Sequence, residues 1–227
     1  MLFRILLSLH GQIDNRMDRH TIEKLGNVPF DLSILQTIYP DCKHISDKAR
    51  QMEADGQIVR LKRGLYVARH KEGLLSEGLI ANHLYGPSYV SRSWALRFYG
   101  LIPERVHLVQ SMTIKHTRRF SNSIGDFDYQ SCPADYFPIG IRTEGEADSR
   151  FLIATPEKAL CDYICHHPMV TLRFMKEVGP FLEEDLRFDM DTLSDLNLDL
   201  IRQCAERGRK SGSLFTLLKF LQHERLV

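Results

Sequence analysis

Between residues 31 and 68 three chain breakers, Pro40, Gly56 and Gly64, stand at short intervals and leave room for little but two short helices and a hairpin. Asp31 is a strong helix-capping residue, and Leu32, Leu35, Ile38 and Tyr39 follow it at helical spacing. Pro40 stops that helix, because a proline ring cannot extend it, and Asp41-Cys42-Lys43-His44 forms a tight turn. A second helix is predicted from Ile45 to Asp55, with Gly56 as its stop and Ile45, Ala49 and Met52 as one inward stripe. Two β-rich runs follow, Gln57 to Leu61 and Leu65 to Ala68, around the basic turn Lys62-Arg63-Gly64. Two helices, a tight turn and a basic-tipped hairpin in this order predict a winged helix-turn-helix over residues 21–70.

Rotation by about 100° per residue puts Asp47, Arg50, Gln51 and Ala54 opposite the apolar stripe of the second helix. Lys43, His44 and Ser46 lie at its N-terminal end, the end that reaches base edges in this motif. Arg60, Lys62 and Arg63 on the hairpin are then placed to meet phosphate or the minor groove. Residues 1–70 carry 11 Lys and Arg against 8 Asp and Glu, whereas residues 151–227 carry 10 against 12. The basic excess thus falls in the segment expected to bind duplex DNA. Asp47 opposes tight non-specific binding but can accept a hydrogen bond from a cytosine amino group. Winged helices also serve as protein-interaction modules, and that alternative stays open here.

The remaining residues predict an α+β chain: the winged module, then a larger mixed α/β domain over 78–227 that becomes helical from about 156. A helix is expected from Ser76 to Tyr85, and a short one carrying Trp94, Ala95 and Phe98, capped by Ser91 or Ser93 and ended by Gly100. Strands are expected over Val106–Lys115, Phe127–Cys132, Ile139–Thr143 and Phe151–Ala154, and helices over 156–167, 171–178, 181–188, 192–207 and 213–224. At the start of the first of these helices, Thr155 reads as an N-cap, Pro156 as the first helical residue, and Lys158 with Asp162 as an i, i+4 pair on the surface. Residues 1–20, with Leu2, Phe3, Ile5, Leu6, Leu7 and Leu9, read as an amphipathic extension. Arg4 interrupts the apolar run and no cleavage site follows, so a cytoplasmic protein is expected. No stretch reaches the roughly 18 to 20 apolar residues that span a bilayer. Five cysteines without paired spacing read as reduced thiols, and Cys161, Cys165, His166 and His167 lack a second ligand pair for a metal.

Several blocks resemble one known family. Arg60-Leu-Lys-Arg-Gly-Leu-Tyr66, the run Tyr89-Val-Ser-Arg-Ser-Trp-Ala-Leu-Arg-Phe-Tyr-Gly-Leu-Ile-Pro-Glu104, Thr113-Ile-Lys115, Arg118-Arg-Phe120, Gly125-Asp-Phe-Asp-Tyr129 and Ile153-Ala-Thr-Pro-Glu-Lys-Ala-Leu-Cys-Asp-Tyr163 resemble the AbiEi-type antitoxins of abortive-infection, type IV toxin–antitoxin systems. The resemblance covers about residues 25–165. It implies an antitoxin for phage defence, whose winged helix represses its own operon at promoter repeats and whose C-terminal domain counteracts a nucleotidyltransferase-type toxin. Lys115, His116, Arg118 and Arg119 form a further basic cluster, able to face nucleic acid or an acidic partner, or simply water.

An enzyme is not expected. A nucleotidyltransferase needs a Gly-Ser turn closely followed by alternating carboxylates that hold a metal. Asp126-Phe-Asp128 and Asp189-Met-Asp191 have the carboxylate spacing, but Gly212-Ser213 lies after both. No nucleophile elbow, phosphate loop, zinc-protease or dinucleotide signature occurs, so no catalytic residue, metal or cofactor is assigned. One winged helix covers little DNA, so a homodimer or cooperative loading on a repeated operator is expected.

Overall fold

A computed structural model describes Ile22 and residues 25–69 and 75–224. The expected extension over 1–20 lies outside the described residues. The described residues divide into two compact units: those up to Ser76 with 122–124 and 146–149, and the remainder from Glu77 onward.

In the first unit, β1 (Phe30–Asp31) runs directly into α1 (Leu32–Ile38), followed by α2 (Ile45–Ala54), β2 (Ile58–Lys62) and β3 (Leu65–Ala68). Asp31 caps α1 as its side chain predicts, accepting from the amides of Ser33 at 2.9 Å and Ile34 at 3.1 Å. The strands form an antiparallel sheet of order β1-β3-β2. Arg63 and Gly64 make the β2–β3 turn, and Gly64 takes a φ of 77°, a left-handed conformation that favours glycine. Leu35, Ala49, Met52, Ile58 and Tyr66 pack into one core with Ile22, Phe30 and Ala68, and Ile45 leans on it from the start of α2. Lys62 stands on β2 and is half-buried, not at the tip of the turn.

The second unit is built on a six-stranded mixed sheet. Its elements are α3 (Glu77–Leu84), β4 (Ser88–Val90), α4 (Arg92–Phe98), β5 (Leu108–Thr113), β6 (Arg118–Ser121), β7 (Asp126–Ser131), β8 (Ile141–Glu144), β9 (Phe151–Ala154), α5 (Pro156–His166), α6 (Leu198–Arg207) and α7 (Ser211–Glu224). The strand order is β6-β7-β5-β4-β9-β8, with β5–β7 and β4–β9 parallel and the other pairs antiparallel. The fold is α+β.

Four expectations change. β4 and β6 are strands that pattern alone misses, β4 because it has only three residues and β6 because two of its four are arginine. Residues 171–188 are not two regular helices. A 3₁₀ turn at Met175–Glu177, three helical residues and a π-type turn at Phe181–Asp185 replace them, since Gly179-Pro180 cannot sustain regular bonding. α6 starts only at Leu198, because the Asn197 side chain caps it by accepting from the amides of Asp199 and Leu200. Ser91 precedes α4 in extended conformation but does not cap it, because its hydroxyl is committed to Asp162.

Candidate nucleic-acid interface

The stripe Ala49 and Met52 fixes how α2 is turned. Both are buried, so the opposite face must be outward, and Ser46, Asp47, Arg50 and Gln51 are exposed there. Lys43 and His44, just ahead of the helix, are exposed too, and His44 occupies the N-cap position without using its side chain as a cap. On the hairpin Arg60 and Arg63 are exposed. Eight of the nine residues expected to contact DNA are therefore open to a ligand, and Lys62 is the half-buried one. Arg50 Nη1 donates to Asp47 Oδ1 at 2.8 Å, so the two opposite charges on this face answer each other. An exposed pair of this kind contributes about 0.5 kcal/mol and is readily exchanged for a phosphate or a base edge.

A second basic surface lies on the edge of the larger sheet. Arg118 and Arg119 belong to strand β6, not to a loop, and Lys115 and His116 lie in the turn ahead of it; all four are exposed. Tyr85, Phe120 and Tyr129 make an aromatic platform under them, with centroids 5.3 to 5.7 Å apart. Lys115 Nζ stands 5.4 Å from the Tyr85 ring, and the Arg118 guanidinium 5.2 Å from the Phe120 ring. Such contacts hold cations out on a surface at little cost in solvation.

Arg119 is held differently. Its Nε donates to Asp128 Oδ1 at 2.9 Å, while Arg92 Nη1 donates to Asp128 Oδ2 at 3.1 Å. The Asp128 side chain is 2 % exposed. Burial pushes its carboxyl up, but hydrogen bonds from Gln130 and Arg119 and the charge of Arg92 outweigh that, and the net shift is downward. Arg92 itself has a φ of 56°, a strained backbone for a residue with a side chain, and its Nε is buried without a partner. Sequence pattern missed Arg92 and Asp128; the available signal was a carboxylate set between Phe127 and Tyr129 in a strand, which must be paired if both faces are covered.

The Lys158–Asp162 pair is not on the surface. Both side chains are fully buried and their charged atoms lie 3.9 Å apart. Lys158 Nζ donates to the Tyr136 carbonyl at 2.8 Å and faces the Tyr136 ring, 3.0 Å from its centroid. Asp162 accepts from the hydroxyls of Tyr89 (3.0 Å), Ser91 (2.6 Å) and Tyr136 (2.7 Å). Every oxygen of the carboxylate is thus satisfied, as burial of a charge demands. Burial pushes the Tyr89 and Tyr136 hydroxyls far up, and the Asp162 charge adds to it, so both remain donors. Around this centre Cys132, Cys161, Cys165 and Cys204 are buried and free. Burial raises the Cys132 thiol to about 11 and the Cys165 thiol to about 12. Thr155 does cap α5, its hydroxyl accepting from the Lys158 amide at 3.4 Å. Glu157, in the first turn of α5, is buried and accepts from the Asn197 amide at 2.7 Å.

Among the described residues no group of three or more His, Cys, Asp and Glu could hold a metal ion, and no helix is long and apolar enough to cross a membrane. His166 is occupied by the carbonyls of Asp162 and Ser131 at 3.1 and 3.3 Å. Compared with models of known protein families and with curated proteins, the chain matches none.

Proposed function

We propose that this protein is a duplex-DNA-binding autorepressor and antitoxin of a type IV toxin–antitoxin operon. On this reading the first unit is a winged helix-turn-helix, with α2 as the recognition helix and the β2–β3 hairpin as the wing. The observation that carries it is the outward face of α2. Asp47, Arg50 and Gln51 are exposed opposite a buried stripe, Lys43, His44 and Ser46 are exposed at the N-terminal end of the helix, and Arg60 and Arg63 are exposed on the adjoining hairpin. That combination offers base-edge donors on a helix and phosphate partners on a hairpin, as groove recognition requires. The basic edge at Lys115, His116, Arg118 and Arg119 is a second surface suited to an acidic partner. The counteracting of a nucleotidyltransferase-type toxin by the larger unit rests on the resemblance of residues 89–163.

Fluorescence anisotropy with the DNA upstream of the protein's own gene tests the reading. Saturable binding is expected, with log K falling linearly in log salt. The combined substitutions Arg50→Ala, Lys62→Ala and Arg63→Ala are expected to weaken it by about a hundredfold or more and to flatten the salt slope. Unchanged affinity in that variant would reject the DNA reading. For the antitoxin role, co-expression should relieve the growth arrest caused by a nucleotidyltransferase-like toxin from a neighbouring gene, and failure to do so removes that half. A second reading, a protein-interaction module, is favoured by the Asp47–Arg50 pair, which leaves the centre of the α2 face electrically balanced.

A further inference from the structure

We propose that a cavity in the larger unit, beyond the C-terminal end of α5, binds a small organic cation: a guanidinium or ammonium group on a short apolar stem. The cavity measures about 480 Å³, and Tyr163, His167, Leu172, Glu177, Phe181 and Asp185 are among its lining residues. That volume falls in the range of small-ligand sites, about 300 to 1,000 Å³.

The sign of the charge follows from the lining. It holds two carboxylates, Glu177 and Asp185, and neither lysine nor arginine. Its one histidine stays neutral: burial first, then the charges of Lys210 and Arg92, push the His167 ring down. Its Nδ1 is also buried without a partner, a position that tolerates a lone pair better than a second proton. The two cations that act on His167, Arg92 and Lys210, are not among the lining residues and are already engaged. Arg92 bonds Asp128, and Lys210 Nζ donates to the carbonyls of His167 at 2.6 Å and Val170 at 2.7 Å. An anion entering the cavity would meet two like charges and no cationic lining group.

The walls suit a cation that carries apolar surface. Tyr163 stacks on His167 with centroids 5.2 Å apart and leans on Phe181 at 6.2 Å. Ring faces of this kind attract a partly desolvated cation. The Asp185 side chain makes no hydrogen bond or ion pair with any described residue, whereas that of Glu177 is tied to the amides of Arg173 and Phe174 at 2.7 and 3.1 Å. The free carboxylate ends the π-type turn that begins at Phe181 and is closed by the Leu186 amide donating to the Phe181 carbonyl at 2.9 Å. This turn brings an aromatic wall and an unspent charge to one cavity, and such turns occur frequently at functional sites. The cavity's residues play no part in the proposed DNA contacts, so the two readings stand or fall separately.

The test is a titration of the full chain, followed by NMR shifts of the Tyr163 and His167 rings, with n-butylguanidinium and with its uncharged counterpart n-butylurea. Saturable one-to-one binding of the guanidinium is expected, with the urea weaker by about tenfold or more. Asp185→Asn, an exposed position whose change leaves packing intact, is expected to weaken binding about fivefold or more, with thermal melting unchanged. Tyr163→Leu gives a second loss, through the aromatic wall. Equal binding of the urea, binding of butyrate, absence of saturation at millimolar guanidinium, or indifference to Asp185→Asn would each overturn the proposal. Tighter binding of a capped arginine peptide than of n-butylguanidinium would overturn it as well, since the occupant would then be a protein side chain.

Discussion

Removing Lys158 while leaving Asp162 in place strands a fully buried carboxylate without its cation. The substitution Lys158→Met keeps most of the volume and the straight stem, so packing changes little and the electrostatic consequence is isolated. Asp162 would retain three hydroxyl donors, from Tyr89, Ser91 and Tyr136. It would lose the ammonium 3.9 Å away. Breaking a buried pair from one side costs about 3 to 5 kcal/mol, because the remaining charge is already desolvated. The Tyr136 carbonyl also loses its 2.8 Å donor, which adds about 1 kcal/mol. Spread over a urea slope of about 2 kcal/mol/M, a combined loss of about 4 to 6 kcal/mol lowers the unfolding midpoint by about 2 to 3 M. The chain has a single tryptophan, Trp94 on α4, so its fluorescence reports the unfolding of the larger unit. The decisive measurement is the double-mutant cycle with Asp162→Asn. The double variant should fall short of the summed single losses by about 2 kcal/mol or more, since neither charge is then left alone. A Lys158→Met loss below about 1 kcal/mol, or additivity in the cycle, would refute the account of this centre as a charge pair sealed from water.

Asp128 gives a pH prediction. Its folded carboxyl lies below its ordinary value of 3.8, so the stability it contributes is complete above that value and is lost as the pH falls below it, through the folded value. Urea midpoints at neutral and strongly acid pH should therefore drop less on acidification for Asp128→Asn than for the unaltered chain, and an equal drop would contradict the pairing with Arg92 and Arg119. Gly78 on α3 is pressed against the Phe151 ring, where an added Cβ would fall 2.4 Å from Cδ2. Gly78→Ala should destabilise by about 1 to 3 kcal/mol despite alanine's higher helix propensity, measured by the same urea unfolding, and a stabilised variant would mean the ring moves aside freely.

Local chemistry made the first unit legible. An aspartate with two free amides beyond it, a proline that cannot continue a helix and glycines that tolerate positive φ each act within four residues, and each stands where its chemistry required. The start of α5 at Thr155-Pro156 is of the same kind. Strand order in the larger sheet is not, because β4 pairs with β9 some sixty residues later and nothing local encodes that choice. The burial of Lys158 and Asp162 misled because an i, i+4 pair has the same spacing on a wet helix face or a dry one. The wider signal lay in their neighbours. Ala159 and Cys165 flank Lys158, Asp162 and His166 on the α5 surface, so the polar face is narrow and bordered by small side chains that let other elements approach it. On the α2 face the reverse holds: residue type and helical period sufficed to place the outward side chains, and only the strand position of Lys62 depended on hairpin register.

The placement of the five thiols divides the molecule for kinetics. Cys42 belongs to the first unit and is half-buried, while Cys132, Cys161, Cys165 and Cys204 are enclosed in the second, with the ionisation of the first three of these suppressed. Alkylation needs both access and thiolate, so those four react only while their unit is transiently open. A labelling time course read by mass should show one early adduct followed by four that arrive together. The rate of that second wave, compared with and without promoter DNA, would measure how far occupancy of one unit is felt as closure of the other.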